Sequence, residues 1–507
     1  MHLKRFYNLK SCILFFVVFS TVSWIVLELY LLSIVRKNEK GDIFNPNLFT
    51  SKLPQHTGLG KLVTVESAFE KLKKIHQQKL KQAGMKMPVF EKFNDFRNGT
   101  GNKVLKDSSI LKKLKLIHHQ KMNKAGFVIE AQGNLQKSVT VTDLLLALPQ
   151  TLEINYNVHV FYYPWYGNPE NDGRYFHWNH HYIPHWNKME SIKWPLGLHK
   201  PPEDIGANYY PLLGLYSSGD PKVVKAHMAQ IQSTGAGVVV VSWYPRSTAD
   251  KEGKEPDMLM PLILDSAQDY NLKVAFHIEP YKNRNHITLK QDLKYIMDSY
   301  GEHPAFYRMI HRGKYLPVYY IYDSYLVSSS NWSKILKPGG GGDSVRNTDL
   351  DGIFIGLLVE LKHKRDLTNA GFDGFYTYFA NNGFTYGSSW KHWHDIAHFA
   401  RTNRLLFIPS VGPGYLDTRI RPWNRENTKP RDHGIYYEAS FKSAMDVHPL
   451  VITVTSFNEW HEGTQIEPAI AKRTANYVYD DYQPEGPLFY LNLTRKWVDR
   501  FAHIQGV

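Results

Sequence analysis

The 507-residue chain carries a single cysteine, Cys12. One thiol can build neither an intramolecular disulfide nor a cysteine-based zinc site, so a small stapled scaffold is excluded. Length alone allows one large hydrophobic core or two ordinary ones. Disorder is excluded by composition, because 43% of residues are hydrophobic and 14% aromatic against 21% charged. Net charge is also missing from most of the chain. The total is +14, but residues 1–150 hold 24 Lys+Arg and 10 Asp+Glu, whereas residues 151–507 hold 37 of each. Basic character therefore belongs to the N-terminal third, and no nucleic-acid partner is expected for the remainder.

What that N-terminal third does contain is an apolar run. Residues 12–35, CILFFVVFSTVSWIVLELYLLSIV, are interrupted only by Glu28. As a helix the run spans roughly 36 Å at 1.5 Å per residue, enough to cross a bilayer. It is longer than a cleaved signal segment and lacks a small-residue exit. Lys4, Arg5 and Lys10 precede it and Arg36, Lys37 and Lys40 follow it, so flanking charge does not fix orientation. Three glycosylation sequons, Asn98-Gly-Thr, Asn331-Trp-Ser and Asn492-Leu-Thr, all lie beyond the run. They predict a short cytosolic tail (1–11), a signal anchor (12–35) and a lumenal bulk. Residues 36–150 read as a basic stem. Two of its segments, LKKIHQQKLKQAG at 72–84 and LKLIHHQKMNKAG at 114–126, resemble each other and read as solvated amphipathic helices.

From about residue 151 the sequence turns aromatic and is punctuated by Gly and Pro. Eight short apolar runs recur at 158–164, 236–245, 273–280, 316–323, 352–360, 371–379, 404–412 and 450–460. Near-continuous β-branched runs suit strands buried on both faces, as in a parallel sheet. Amphipathic stretches such as 221–234, 257–271 and 290–300 lie between them. Eight strand–helix units predict a (β/α)8 barrel over residues 151–507, of the α/β class. An open doubly wound sheet is the rival, but no Gly-rich phosphate turn follows any run.

The runs end in functional residue types. Tyr163, Trp165 and Tyr166 close the first; Trp243 and Tyr244 the second; His277 and Glu279 the third. Tyr322 and Asp323 close the fourth, and Tyr376 and Tyr378 the sixth. In a barrel these ends converge on one face, where flat apolar rings and hydrogen-bonding edges suit a sugar. The last run leads into SFNEWHEGTQIE at 456–467, with Glu459 and Glu462 three apart beside Asn458 and Trp460. If the chain turned helically there, the two carboxylates would share a face, and repulsion would split their pKa values into an acid and a base. Glycoside hydrolysis uses such a pair.

Long motifs, FYYPWYGNP, HWNHHYIPHW, DIGANYYPLLGLYSSGDP, FHIEPY, FDGFYTYFANNGFTYGSS, IPSVGPGYLDTRIRPWN and SFNEWHEGTQIE, give residues 156–500 a resemblance to glycoside hydrolase family 99. The resemblance implies a retaining endo-α-1,2-mannosidase that releases Glc(1–3)Man from glucosylated high-mannose N-glycans on glycoproteins. It also implies a single-pass type II protein of the Golgi membrane, anchored by its N-terminal helix. Glu459 would match the base that deprotonates the substrate 2-hydroxyl, giving a 1,2-anhydro sugar, and Glu462 the acid/base. Glu279, Trp243, Asp250, Tyr415 and Arg421 match sugar-site positions. His177, in a cluster with His180, His181 and His185, suits sugar hydroxyls. No cofactor and no metal are expected.

Two other classes stay open. A metal-dependent glycosyltransferase needs a D-x-D after a strand, but Asp349-Leu-Asp351 precedes one. A non-catalytic glycan-binding protein would keep the cleft without turnover. His461-Glu462 is not a zinc-protease motif, because Gln465 stands where the second histidine belongs.

Overall fold

The computed structural model describes residues 153–339 and 341–506. The apolar run 12–35, the basic stem 36–150 and the Asn98 sequon lie outside these residues. Among the described residues no helix is long and apolar enough to cross a membrane.

Nine parallel strands build the core. They are β1 (Asn155–Tyr162), β2 (Ala236–Trp243), β3 (Lys273–Ile278), β4 (Lys314–Ile321), β5 (Ile353–Leu357), β6 (Gly374–Tyr376), β7 (Leu406–Ile408), β8 (Ser410–Val411) and β9 (Ile452–Val454). All eight predicted runs are strands; the seventh is split in two by Pro409, which has no N–H to donate to a ladder. Hydrogen bonding follows the order β8-β9-β1-β2-β3-β4-β5-β6-β7. The two ends of this path are successive pieces of one chain segment, so the sheet comes close to a closed barrel. The Pro409 carbonyl still accepts from Thr453 N at 3.1 Å.

Helices follow the strands: α1 (Pro221–Ser233), α2 (Met260–Asp269), α3 (His286–Tyr300), α4 (Ser329–Leu336), α5 (His363–Ala370), α6 (Trp393–Thr402), α7 (Ile435–Met445) and α8 (Phe489–Gln505). Their starts are written locally. Asp220 caps α1 ahead of Pro221, and Asn285 with Thr288 forms a reciprocal capping box on α3. Asn331 sits in the first turn of α4 and an exposed Asn492 in that of α8.

Strand alternation sorts side chains into two layers. Inside the barrel, Phe161 packs on His277, Tyr320 and Tyr376 at centroid distances of 4.8, 5.7 and 5.7 Å. His159 Nδ1 lies 2.7 Å from Tyr320 OH, and His277 Nε2 lies 2.7 Å from Tyr376 OH. Outside, under the helices, Tyr162 OH meets His227 Nδ1 of α1 at 3.0 Å. Trp243 belongs to this outer layer: its indole N–H donates to Asp257 Oδ1 at 2.8 Å, its ring packs on Phe276, and it has no accessible surface. The sequence assigned Trp243 to the sugar site; the parity of β2 turns it away from the barrel axis. One continuous sheet under one helix layer leaves no boundary among the described residues. Residues 151–507 alone are therefore expected to fold and to unfold in one main thermal transition, which calorimetry checks; a broad multistep melt would contradict it.

Candidate active site

The segment that carries the two carboxylates leaves β9 as a closed turn, not a helix. Ser456 N donates to Thr464 O at 3.0 Å, Thr464 N to Glu459 O at 3.3 Å and Gly463 N to Trp460 O at 3.3 Å. Gly463 sits at φ +60, and a Cβ there would lie 2.6 Å from the Leu416 carbonyl, so glycine is required at this corner. Two buried side chains hold the turn to the barrel. Asn458 accepts from Tyr163 N at 2.8 Å and donates to Tyr163 O at 3.0 Å, acting as a surrogate strand partner at the end of β1. Glu467, fully buried, accepts from Tyr216 OH at 2.8 Å and Trp460 Nε1 at 2.9 Å, with His227 Nε2 at 3.2 Å. Tyr166 OH donates to Asn458 O and accepts from Trp460 N.

Asn458, Trp460 and Tyr166 thus frame the turn. All three were expected to contact sugar, yet none has accessible surface. Their polar atoms are spent on backbone and Glu467.

The carboxylates themselves differ. Glu459 is buried, with 6% of its side chain exposed, and its Oε1 accepts from His461 N at 3.1 Å and faces His461 Nδ1 at 3.1 Å. Glu462 is more open, at 22%, and lies 3.7 Å from Arg421 Nη1. Burial first, and the Glu459 charge second, push the Glu462 pKa up to about 7, against the pull of Arg421. Arg421 is braced from behind by Asp417, whose Oδ2 accepts from Arg421 Nη1 at 3.0 Å, Tyr415 OH at 2.9 Å and Asn424 Nδ2 at 2.9 Å.

Several other residues expected at the rim lie near this turn, whereas Trp243 and Tyr376 do not open to it. Burial raises the pKa of Tyr163, and the charges of Glu459, Glu279 and Glu462 raise it further, which places three carboxylates around one phenol. Tyr163 and Tyr378 share a short hydroxyl–hydroxyl bond. Tyr322 and Tyr378 lie at a centroid distance of 5.0 Å, and Tyr378 stacks on His277 at 5.9 Å. Glu279, at the end of β3, accepts from Ser242 Oγ at 2.8 Å, and burial pushes its pKa up to about 8. Half-buried Tyr244 feels the charges of Glu279 and Asp250. Trp165 packs at a tilt on Tyr163 at 4.5 Å and lies parallel to His177 at 4.6 Å. His177 Nε2 meets Asp250 Oδ2 at 2.8 Å. Asp250 Oδ1 is occupied by the backbone N–H groups of Glu252, Gly253 and Lys254.

One set of metal-ligating residue types gathers here: donor atoms of His180, His181 and Glu252 lie within 4.8 Å of one another. Hydrogen bonds account for the contacts, since His180 Nδ1 bonds the His181 carbonyl at 2.7 Å and His181 Nδ1 bonds Glu252 Oε1 at 3.0 Å. Asp351 of the D-x-D is paired with Arg346 at 3.1 Å just before β5, at the strand end remote from the carboxylate turn.

A mouth of this kind, two unlike carboxylates among tyrosines, suits a sugar. Residues 153–503 match the family model for glycosyl hydrolase family 99. The chain belongs to this family. It is a glycosidase. The glycoprotein endo-α-1,2-mannosidase of Xenopus laevis is 56% identical over 348 residues, covering 68% of this chain and 77% of that protein. A human glycoprotein endo-α-1,2-mannosidase-like protein is 52% identical over 353 residues, covering 69% and 77%. The solved GH99 endo-α-mannosidase from Bacteroides thetaiotaomicron is 42% identical with a TM-score of 0.64, covering 70% of this chain and all of that one.

Sequence reasoning missed Glu467, Asp417, Ser242 and the pairing role of His461. Glu467 and His461 lie within SFNEWHEGTQIE, but nothing in their spacing announces a buried anchor. Glu467→Leu strands Tyr216, Trp460 and His227 without their shared acceptor. It is expected to cost about 3–5 kcal/mol in chemical denaturation; an unchanged midpoint would remove Glu467 as the anchor.

Proposed function

We propose that this glycosidase is an endo-acting retaining mannosidase that cleaves an internal α-1,2-mannosidic bond of glucosylated high-mannose N-glycans, releasing Glc(1–3)Man. The names of its relatives support the bond type. The observation that carries the mechanism is the unlikeness of Glu459 and Glu462 on one turn. Glu459, beside the His461 ring, takes the proton of the substrate 2-hydroxyl. That oxygen attacks C1, the C1–O bond to the leaving mannose breaks, and Glu462 gives its proton to the departing oxygen. A 1,2-anhydro sugar results. Glu462, now ionised, takes a proton from water as the water oxygen attacks C1, and Glu459 returns its proton to O2. Two inversions at C1 amount to retention, with no bond to the protein.

Tyr163, Tyr322, Tyr378 and Tyr244 supply faces and hydroxyls around the ring, and Arg421 and Tyr415 border the leaving-group side near Glu462. The same reading makes residues 12–35 the anchor of a type II Golgi membrane protein, supported by the apolar run and by sequons at Asn331 and Asn492.

The deciding experiment incubates the protein with a Glc1Man9 glycan. Release of a disaccharide supports the reading; binding without release points to a lectin. Glu462→Gln is expected to abolish cleavage of natural glycans while retaining binding. Glu459→Gln should lose activity even on substrates with good leaving groups, because its step precedes departure. Glu462 must carry a proton to act, so kcat/KM should fall about tenfold per pH unit above about 7. A profile flat from pH 6 to 9 would remove Glu462 as the acid.

A further inference from the structure

His461 stands between the two carboxylates in sequence, and its ring has a fixed proton account. Nε2 lies 2.9 Å from the His177 carbonyl, which can only accept, so Nε2 carries a hydrogen. Nδ1 lies 3.1 Å from Glu459 Oε1. A neutral imidazole with its hydrogen on Nε2 would aim a lone pair at an ionised carboxylate. One further proton must therefore sit between Nδ1 and Oε1. The backbone N–H of His461 also donates to Oε1 at 3.1 Å, which favours negative charge on that oxygen. Among the described residues Glu459 Oε2 has no partner, so the oxygen left for a substrate is the one His461 does not occupy.

We propose that His461 is a positioning residue: as an imidazolium clamped between the His177 carbonyl and Glu459, it holds Glu459 as an oriented anion ready to take a proton. The inference deepens the mechanism proposed above and rests on Glu459 being its base.

The surroundings select this one histidine. Facing its ring are Trp165 and Tyr166 at centroid distances of 6.2 and 5.7 Å, and His177 and His180 at 5.5 and 4.6 Å. Glu252, in the loop after β2, also bears on it. Burial pushes His177 down, and burial followed by the His461 charge pushes His180 down to about 2, so both stay neutral. Burial opposes charge on His461 too, but the Glu459 carboxylate and the His177 carbonyl outweigh it and hold its pKa above the ordinary value.

The clamp has a support. His177 is held at φ +61, in the left-handed region. Its ring is pinned by Trp165 at 4.6 Å and by Asp250 at 2.8 Å. Asp250, which the family resemblance gives a sugar-site position, thus also fixes the residue whose carbonyl receives His461.

Two measurements test the proposal. In the intact wild-type protein, nitrogen NMR of the histidine rings at pH 7, assigned by the signals lost in His461→Gln, should show both His461 nitrogens protonated; a singly protonated ring overturns the proposal. That arm does not depend on turnover, so it stands apart from failure of the mannosidase reading, which the wild-type glycan assay reports. The second arm follows kcat/KM against pH for His461→Asn, a neutral donor in place of Nδ1. Its acid limb should move up by about one pH unit or more relative to wild type, while the alkaline limb set by Glu462 should not move down, because the lost imidazolium charge also held Glu462 down. An acid limb at the wild-type position, with activity lowered equally at every pH, assigns His461 a packing role only and overturns the proposal.

Discussion

A carboxylate taken wholly out of water is tolerable only when donors surround it. Glu467 meets that condition with Tyr216, Trp460 and His227, each on a different segment of chain. The demand runs both ways: the three donors converge on Glu467, and Trp460 is thereby fixed between Glu459 and His461. With Asn458 clasping both backbone groups of Tyr163, a stretch without helix or strand acquires the rigidity of the barrel beneath it. The chemistry of the mouth depends on this.

On that frame, three carboxyl groups close to one another behave differently for local reasons. Glu279 and Glu462 are pushed towards neutrality, to about 8 and about 7, chiefly by burial. Glu459 has a charged partner instead, the His461 ring. Adjacent like charges cannot all be carried in a poorly solvated mouth. The site resolves the conflict by giving one glutamate an imidazole, and it spaces the others among tyrosines whose hydroxyls stay protonated.

The barrel was legible in the sequence because buried parallel strands are written as apolar runs, and all eight runs became strands. Which side of each strand faces the axis was not legible. Alternation is invisible in AGVVVVSWYP, where both faces are apolar, so Trp243 and Tyr244 read alike although one packs on Phe276 and the other opens to the mouth. A three-residue spacing suggested a helical face for Glu459 and Glu462, whereas Gly463 and Ser456 close a wider turn. Aromatics posed the same ambiguity: Tyr376 fills the barrel interior while Tyr378, two residues on, leans over it with φ +51. Only long-range pairings such as Asn458 with Tyr163 decide between such readings, and those pairings leave no periodic trace.

Placing Glu459 and Glu462, the proposed base and acid, on a single closed turn has a mechanical consequence. Breathing of the barrel carries them as one body, so their mutual spacing is a local quantity, insulated from strand motions. Their separation from Glu279 and Tyr322, across the mouth, is set by the whole ring of strands and flexes with it. Warming or loosening the barrel therefore disturbs the width of the mouth before it disturbs the spacing of Glu459 and Glu462.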